Sequence, residues 1–435
     1  MNRIYSAAIA LILTSSGVFG MDKDTAAAID KAHAAMWSRM IKDDGIMLDF
    51  TDRDGAVVIP TPEECAEAKP NAMGWWTPIE NGGFFNGLYL PAVCERYRRT
   101  KSDTDKAHAR ALAKGLMLLA SVSDVPGYIA RGVATDGKSH YPSGSDDQTH
   151  PWFYGLYFYA KSGIPDAAER EGIIKKMNEV ARALKANRWM CPCDGIFTGQ
   201  NRGAFSGKGF RDASRLLFIL RAMYELTRDE SWLADYRSAV TETPRGSKVD
   251  RSAICAEGAE RDLDHIKDLL TQMWIVAGSQ GSLAELIRLE SDAALRRAYR
   301  EGMVKTALYA AASIAAYKGF DNGDEPPFRF HAWREMLNPN YKPQANQDEA
   351  TKVAIAQLRA VNIIDRTNQL VPRRDMENAQ LRSPLSAAFV VALCDDEEVR
   401  KNWRPAIEAA ILHYEYAKVY GSLFFFAECA YYALP

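Results

Sequence analysis

Residues 104–121 read TDKAHARALAKGLMLLAS, and the apolar spacing of this segment recurs through most of the chain. Leu112, Leu116 and Leu119 are three and four residues apart, so they line one face of a helix with 3.6 residues per turn. Residues of high helix propensity, mainly Ala, Leu, Lys, Arg and Glu, dominate this segment and those like it. The pattern predicts a succession of amphipathic helices. Their predicted ranges are approximately 25–41, 86–99, 104–121, 151–162, 167–187, 212–227, 231–240, 261–277, 293–317, 348–364, 377–393, 397–416 and 422–433.

The segments that link the predicted helices alternate between short and long. Short links such as 99–104 and 162–166 join some helices tightly, whereas the long links are rich in Gly, Pro, Trp and Tyr. Stacked helical hairpins produce this alternation, because their short turns gather at one end and their long loops at the other. We therefore predict an all-α chain in the form of an (α/α)6 toroid, a six-hairpin barrel with its long loops on one rim. The long links are residues 42–85, 124–151, 188–211, 241–260 and 319–346.

Nothing in the sequence divides this predicted toroid into separate domains. A chain of 435 residues ordinarily holds two or three domains of about 150 residues each. No Pro- or Ser-rich linker interrupts the helices, so we predict one domain over residues 21–435. A helical solenoid is the alternative architecture, but the sequence has no fixed-period repeat. Short strands are expected only inside the long links, at 56–60 and 127–135.

The first twenty residues have the features of a secretory signal peptide. Asn2 and Arg3 form a short positive region, residues 4–13 are apolar, and small residues then allow cleavage after Gly17 or Gly20. The apolar run is too short to cross a hydrocarbon core of about 30 Å, and no later segment has about 18 uninterrupted apolar residues. The sequence therefore predicts a periplasmic or secreted protein without membrane insertion.

The charge balance argues against nucleic acid as a partner. The chain has 54 Lys and Arg against 56 Asp and Glu, a net charge of -2, so no basic excess is present to neutralise a phosphate backbone. Its seven cysteines include Cys191-Pro192-Cys193, but no second Cys pair or His lies close by in sequence. We therefore expect structural cysteines, no metal site and no cofactor. The oligomeric state is left open.

Aromatic and acidic residues meet in the first long link. Residues 75–87 read WWTPIENGGFFNG and lead into the second predicted helix. Trp75 and Trp76 are candidates for stacking on a sugar ring, and Glu80 and Asn81 stand near the helix start. The alternative interpretation is structural: Asn81 caps the helix and the aromatic side chains close the end of the barrel.

The second long link is the richest in functional side chains. Residues 131–152 read RGVATDGKSHYPSGSDDQTHPW. Glycosidic cleavage needs a proton donor and a second carboxylate that activates water or attacks carbon. A helix cap explains one of Asp146 and Asp147 without any chemistry. Because adjacent side chains diverge, we expect one of these aspartates to act with Glu80. The candidate substrate-binding residues of this link are Arg131, Asp136, His140, Tyr141, Gln148 and Trp152.

Two further links add basic and aromatic candidates. Residues 201–212 read NRGAFSGKGFRD, in which Arg202 and Arg211 are suited to a carboxylate or sulfate group. The Gly spacing does not complete a phosphate-binding loop. His331 lies in the aromatic run FRFHAW and is a weaker candidate for the same site.

Ser145-Asp146-Asp147-Gln148, at the start of a helix with Trp and Tyr, resembles a motif of the six-hairpin glycosidase superfamily. Unsaturated glucuronyl and rhamnogalacturonyl hydrolases of that superfamily often carry paired aspartates at a helix start. The resemblance implies an (α/α)6 barrel, carbohydrate as the substrate class and an acidic site residue at Asp146 or Asp147.

The leading hypothesis is a periplasmic or secreted glycoside hydrolase for a poly- or oligosaccharide. Asp147 or Asp146 acts as general acid or base, and Glu80 is the partner carboxylate. One alternative is a polysaccharide lyase on the same fold, with β-elimination supported by Arg131, His140, Tyr141 and Arg202. The other is a non-catalytic glycan-binding protein.

Overall fold

The computed structural model describes residues 23–263, 266, 268–323, 329–368 and 373–435, without the side chains of 364–368. The predicted signal peptide, residues 1–20, lies outside this part of the chain. The described residues are mainly helical, which confirms the all-α class. The α-helices are α1 (Lys23–Arg39), α2 (Pro62–Ala66), α3 (Gly82–Thr100), α4 (Asp103–Leu119), α5 (Asp146–Lys161), α6 (Ala167–Ala186), α7 (Phe210–Thr227), α8 (Glu230–Thr241), α9 (Arg251–Glu257), α10 (Trp274–Leu289), α11 (Ala293–Ile314), α12 (His331–Leu337), α13 (Gln347–Asn368), α14 (Arg373–Glu377), α15 (Ser383–Ala392), α16 (Glu397–His413) and α17 (Phe425–Ala433).

Smaller elements fill the links between these helices. Strands β1 (Met190–Pro192) and β2 (Asn201–Ala204) form an antiparallel pair. A π-helical turn, Asn378–Arg382, connects α14 to α15. Single 3-10 turns occur at Gly195–Phe197, Gly258–Asp262, Leu269–Gln272, Ala315–Gly319, Asn338–Asn340, Tyr416–Lys418 and Ser422–Phe424.

Helix packing follows a closed order. Helix α3 packs on α5, α5 on α7, α7 on α10, α10 on α15, α15 on α17, and α17 again on α3. These helices are extensively buried; in α15, for example, every residue is buried. Helices α4, α6, α8, α11 and α16 pack against this group and bury narrower stripes, as amphipathic helices at a protein surface do.

Glycines bring α3 and α5 into direct backbone contact. A Cβ atom added at Gly87 would lie 2.1 Å from the carbonyl oxygen of Pro151, and one at Gly155 would lie 2.7 Å from that of Gly87. Only the absence of a side chain at these positions permits so close a crossing. The crossing fixes the N-terminal ends of α3 and α5 beside each other.

One predicted helix, 261–277, is wrong: the helix in this region, α10, runs from Trp274 to Leu289. The sequence GSQGS at residues 278–282 has the composition of a loop. In the fold, however, Gly278 faces the ring of His150 and Gly281 faces the ring of Tyr154, with no space for a side chain. Tertiary packing therefore outweighs the low helix propensity of glycine and serine.

Two further expectations are corrected. The predicted strands at 56–60 and 127–135 are not strands, and the observed pair, β1 with β2, lies in a different link. Helices α9 and α12 form within segments that were expected to be loops. All of these elements are only three to nine residues long, so periodicity gives little signal for them.

The π-helical turn has a local cause at Pro384. Proline has no N–H, so Gln380, four residues earlier, receives no helical hydrogen bond from it. Tyr414 instead donates its hydroxyl to the Gln380 carbonyl oxygen, at 2.6 Å. The N–H of Ser383 reaches back five residues to the carbonyl of Asn378. The widened turn changes which side chains of this helix face inward.

The described part of the chain has no helix that is both long and apolar enough to cross a membrane. All seven cysteines belong to this part; each is buried, and no two are joined in a disulfide.

Candidate active site

A cavity of about 410 Å³ opens beside the N-terminal ends of α3 and α5. Its wall combines four carboxyl groups, four guanidinium groups and six aromatic rings. The carboxyl groups belong to Asp49, Glu80, Asp147 and Glu377, the guanidinium groups to Arg131, Arg202, Arg374 and Arg382, and the rings to Phe50, Trp75, Trp76, Phe85, Trp274 and Phe330.

The structure brings residues from four predicted loops together at this cavity. The link 42–85 contributes the residues just before α3, the link 124–151 an arginine and the first turn of α5, the link 188–211 an arginine of β2, and the link 319–346 the ring of Phe330. The predicted site residues that line the cavity are Trp75, Trp76, Glu80, Asn81, Arg131, Asp147 and Arg202.

Arg131 organises the side of the cavity that holds Asp147. Its side chain is 2% exposed and donates from Nη1 to the carbonyl of Glu80 at 3.1 Å and from Nη2 to the hydroxyl of Ser145 at 2.9 Å. Nη2 also lies 3.6 Å from Oδ1 of Asp147, which accepts the Ser145 hydroxyl. Burial opposes ionisation of Asp147, but the charges of Arg131 and Arg202 outweigh it, so the pKa of Asp147 lies below its ordinary value.

Asp49 and Glu80 form a pair with the opposite electrostatics. Asp49 accepts the backbone N–H of Asn81 at 2.9 Å and its side-chain amide at 2.6 Å. Burial, and then the negative charge of Glu80, raise the pKa of Asp49 well above its ordinary value. Burial also raises the pKa of Glu80, against the opposing charges of Arg131 and Arg374. The pair therefore retains a proton at a pH where an exposed carboxyl group is ionised.

A hydrogen-bond chain fixes this pair relative to Asp147. Gln148 donates from Nε2 to Oδ1 of Asn81 at 3.0 Å and accepts the N–H of Phe84 at 2.9 Å. Asn81 occupies the N-cap position of α3, and its carbonyl accepts the N–H of Phe85 at 2.8 Å, but its side chain makes no capping hydrogen bond. Gln148 is buried and does not line the cavity; its amide positions Asn81, which does.

The two adjacent aspartates point to different partners. Asp147 lines the cavity, whereas Oδ2 of Asp146 lies 3.0 Å from Nη1 of Arg215 on α7. Burial raises the pKa of Asp146, and the charge of Arg215 opposes this effect. Arg215 is itself buried and also donates to the carbonyl of Ile275. Asp146 thus joins α5 to α7, and Asp147 is the better catalytic candidate.

Arginine and tryptophan side chains stack in the part of the cavity wall near Glu80. The guanidinium of Arg374 lies 5.3 Å from the ring of Trp76, and that of Arg382 lies 5.1 Å from the ring of Trp274. Nε of Arg382 and Nε1 of both tryptophans are buried and have no hydrogen-bond acceptor among the described residues. Burial and the charge of Arg374 lower the pKa of Arg382 to about 9. Such a wall favours an anionic, hydrogen-bonding ligand over a cation.

Glu377 supplies a fourth carboxyl group at the end of α14. Its two oxygens accept the N–H groups of Tyr420 and Gly421, at 2.9 and 2.7 Å. Burial raises the pKa of Glu377 to about 7, although these hydrogen bonds and Arg373 act in the other direction. Sequence reasoning missed this residue, because it falls within a predicted helix where charged side chains ordinarily face solvent.

Three predicted substrate-binding residues lie elsewhere because local folding uses their polar atoms. Trp152 is in the core and donates its indole N–H to the carbonyl of Leu116 at 2.7 Å. Tyr141 is buried and donates to the carbonyl of Lys69. His140 pairs through Nε2 with Asp194 at 2.8 Å.

Three others also lie outside the cavity wall. Asp136 is exposed and accepts the N–H of Ser139 within its own turn, at 2.8 Å. Arg211 pairs with Asp262 at 3.1 Å, and His331 is exposed at the start of α12. These placements correct the prediction that all six residues bind substrate.

Comparisons of the chain with protein-family models, with curated proteins and with solved structures gave no match. The interpretation of the cavity therefore rests on its own geometry and electrostatics.

Proposed function

We propose that the protein is a glycoside hydrolase for a carbohydrate that carries an acidic group. One observation carries this proposal: a single cavity brings together Asp147, whose pKa lies below its ordinary value, and the pair Asp49 and Glu80, whose pKa values are raised. Glycosidic hydrolysis needs these two states at once, one carboxyl to protonate the leaving oxygen and one carboxylate to activate water or attack carbon. Environments that push carboxyl pKa values apart are how enzymes assign the two roles.

In this mechanism Glu80 donates the proton and Asp147 is the base or nucleophile. Both oxygens of Asp49 are occupied by hydrogen bonds from Asn81, so Glu80 is the member of the pair that is available to substrate. Burial raises the pKa of Glu80, which keeps its carboxyl group protonated for this transfer. Arg131 holds Asp147 ionised.

The acidic group of the substrate is assigned to Arg374 and Arg382. Their guanidinium groups stack beside Trp76 and Trp274, and Nε of Arg382 has no acceptor in the described part of the chain. A carboxylate or sulfate on the sugar supplies acceptors for these donors. Trp75 offers a half-buried ring surface for the pyranose. The cavity volume of about 410 Å³ lies in the range of small-molecule sites.

The remaining parts of the hypothesis concern architecture and location. The closed packing order from α3 through α5, α7, α10, α15 and α17 back to α3 supports the (α/α)6 toroid. The signal peptide predicted for residues 1–20 supports export to the periplasm or the exterior.

The test is hydrolysis of a panel of neutral, uronate-bearing and sulfated oligosaccharides by the mature chain. The release of reducing ends measures the activity. We expect activity on acidic members, a loss of at least a hundredfold in Asp147→Asn and Glu80→Gln, and unchanged activity in Asp136→Asn. Full activity in both Asp147→Asn and Glu80→Gln contradicts the assignment.

The same assay separates the alternatives. Appearance of a conjugated C=C absorbance during turnover identifies a lyase, although His140 and Tyr141, which that mechanism was expected to use, lie away from the cavity. Saturable binding without turnover, unaffected by Asp147→Asn, identifies a glycan-binding protein.

A further inference from the structure

A second cluster of titratable side chains lies between α1 and α4, apart from the cavity. Nε2 of His33 is 3.0 Å from Nδ1 of His108 and 3.7 Å from Oδ1 of Asp105. One ligand atom from each of the three residues lies within 4.8 Å of the other two. We infer that this juxtaposition of two imidazoles and a carboxylate binds a divalent transition-metal ion, with Zn²⁺ as the best fit.

The spacing of the three ligand atoms suits tetrahedral coordination. Zinc binds imidazole nitrogen and carboxylate oxygen at about 2.0–2.2 Å, so neighbouring ligand atoms at a tetrahedral angle are separated by roughly 3.3–3.5 Å. The two separations from His33, 3.0 and 3.7 Å, lie on either side of that value. Shifts of a few tenths of an ångström bring both separations from His33 to this value, and water completes the fourth position.

The residues around the cluster orient its first ligand. Nδ1 of His33 lies 2.9 Å from Oε2 of Glu428, a fully buried carboxylate that also accepts the hydroxyl of Tyr89 at 2.6 Å. With its Nδ1 proton donated to Glu428, His33 presents the Nε2 lone pair to His108 and Asp105. A carboxylate on the far nitrogen of a ligating histidine is the usual second partner in metal sites.

The other two ligands are also held in place. Asp105 accepts Nε of Arg96 at 2.9 Å and the hydroxyl of Thr100 at 2.5 Å. The ring of His108 stacks on Trp37 with centroids 3.6 Å apart and planes within 6°. His108 is half-buried, so the site is accessible from solvent.

The charge around the cluster favours a cation. Three carboxylates, Asp30, Asp105 and Glu428, face a single guanidinium group, Arg96, which pairs with both Asp30 and Asp105. With neutral imidazoles, the surroundings carry two negative charges, which match the charge of the ion.

Such a site joins distant parts of the chain. His33 lies on the first described helix, α1, and its partner Glu428 lies on the last, α17, while Asp105 and His108 are one turn apart on α4. Bound metal therefore stabilises the contact of the chain ends with α4. No metal site was expected, because the sequence has no cluster of about four ligand residues; Asp105 and His108 are close in sequence, but His33 is not.

The test uses the full mature chain, stripped of metal with a chelator and titrated with Zn²⁺ in a calorimeter. We expect one equivalent to bind, and the melting temperature to rise on addition of zinc. Affinity should fall by at least tenfold in His108→Ala and by 10–100-fold in Glu428→Gln, which removes the carboxylate behind His33. His331→Ala, which removes an exposed histidine elsewhere, is the matched control and should bind zinc as the wild type does.

Equal zinc binding by wild type and His108→Ala overturns the inference, and so does the absence of zinc binding by the wild type. A measurement on the wild type alone keeps the test valid if the variants fold poorly. Loading with Co²⁺ should give the visible d–d absorption of a four- or five-coordinate site, and a spectrum of six-coordinate aqueous Co²⁺ contradicts the assignment.

Discussion

Substitution of Gly87 by alanine tests whether the α3–α5 crossing determines the site. The new Cβ atom would lie 2.1 Å from the carbonyl oxygen of Pro151, whereas Cβ atoms essentially never approach other heavy atoms within 3.0 Å. The two helices must therefore separate by about 1 Å. Overpacking of this kind costs about 1–3 kcal/mol, and its upper end applies because the obstacle is backbone. The higher helix propensity of Ala than of Gly offsets about 1 kcal/mol of this loss in stability.

The net expectation for Gly87→Ala is a loss of about 2 kcal/mol in the free energy of unfolding, measured by urea denaturation. Gly172→Ala in α6 is the matched control, because no described atom lies within 4 Å of its added Cβ. That variant should gain up to about 1 kcal/mol. Since α3 and α5 carry the Glu80 and Asp147 ends of the site, Gly87→Ala should also lower kcat by about a hundredfold. Stability equal to wild type in Gly87→Ala refutes the reasoning.

Three further predictions concern charged groups at the cavity. Burial raises the pKa of Glu377 from 4.5 to about 7, so the folded state binds its proton more tightly than the unfolded state does. As the pH rises from about 4.5 to about 7, the free energy of unfolding of the wild type should therefore fall by on the order of 3 kcal/mol. Glu377→Gln should not show this loss, and urea denaturation at several pH values measures the difference. Arg131→Met should raise the pKa of Asp147 and move the acidic limb of the pH–rate profile upward, with at least a tenfold loss of kcat. Asp146→Asn should lower the melting temperature, because it leaves the buried charge of Arg215 without its partner, at a cost of about 1–3 kcal/mol.

Periodicity predicted most of the long helices because their apolar stripes are buried in the fold as the pattern requires. It failed at α10, where Gly278 and Gly281 are helical only because aromatic rings of α5 occupy the space of their missing side chains. No local signal in the sequence reports the presence of such a neighbour.

For the site, local enrichment of acidic and aromatic residues predicted Glu80 and Asp147, because loops of that composition meet at the cavity. The same enrichment wrongly included Trp152, since composition does not show which face of α5 turns inward. Glu377 and Arg382 were missed because they reach the cavity from the π-helical turn and its flank, and that turn depends on a contact between Tyr414 and Gln380. Asp49 follows the short apolar run 46–48. Only its position in the same long link as Glu80 indicated that it could belong to the site.

The charge of the cavity links the proposed substrate to the proposed acid. With the Asp49–Glu80 pair holding a proton, the four arginines exceed the ionised carboxylates, so the cavity favours an anion. Arg374 lowers the pKa of Glu80 in the free protein. An acidic sugar bound at Arg374 neutralises part of that effect, and the pKa of Glu80 should therefore rise when substrate binds.

Bound acidic substrate should thus keep the proton donor loaded to higher pH. The profile of kcat/KM reports the free enzyme and that of kcat reports the complex. For an acidic sugar the basic limb of kcat should lie at higher pH than that of kcat/KM, whereas for a neutral analogue the two limbs should coincide. Arg374→Gln should abolish this separation, because it should move the basic limb of the kcat/KM profile to higher pH. If the two basic limbs coincide for the acidic sugar in the wild type, the charge of the sugar does not lie beside Glu80. The reason is that neutralising an arginine next to a buried carboxyl group must change the proton affinity of that carboxyl group.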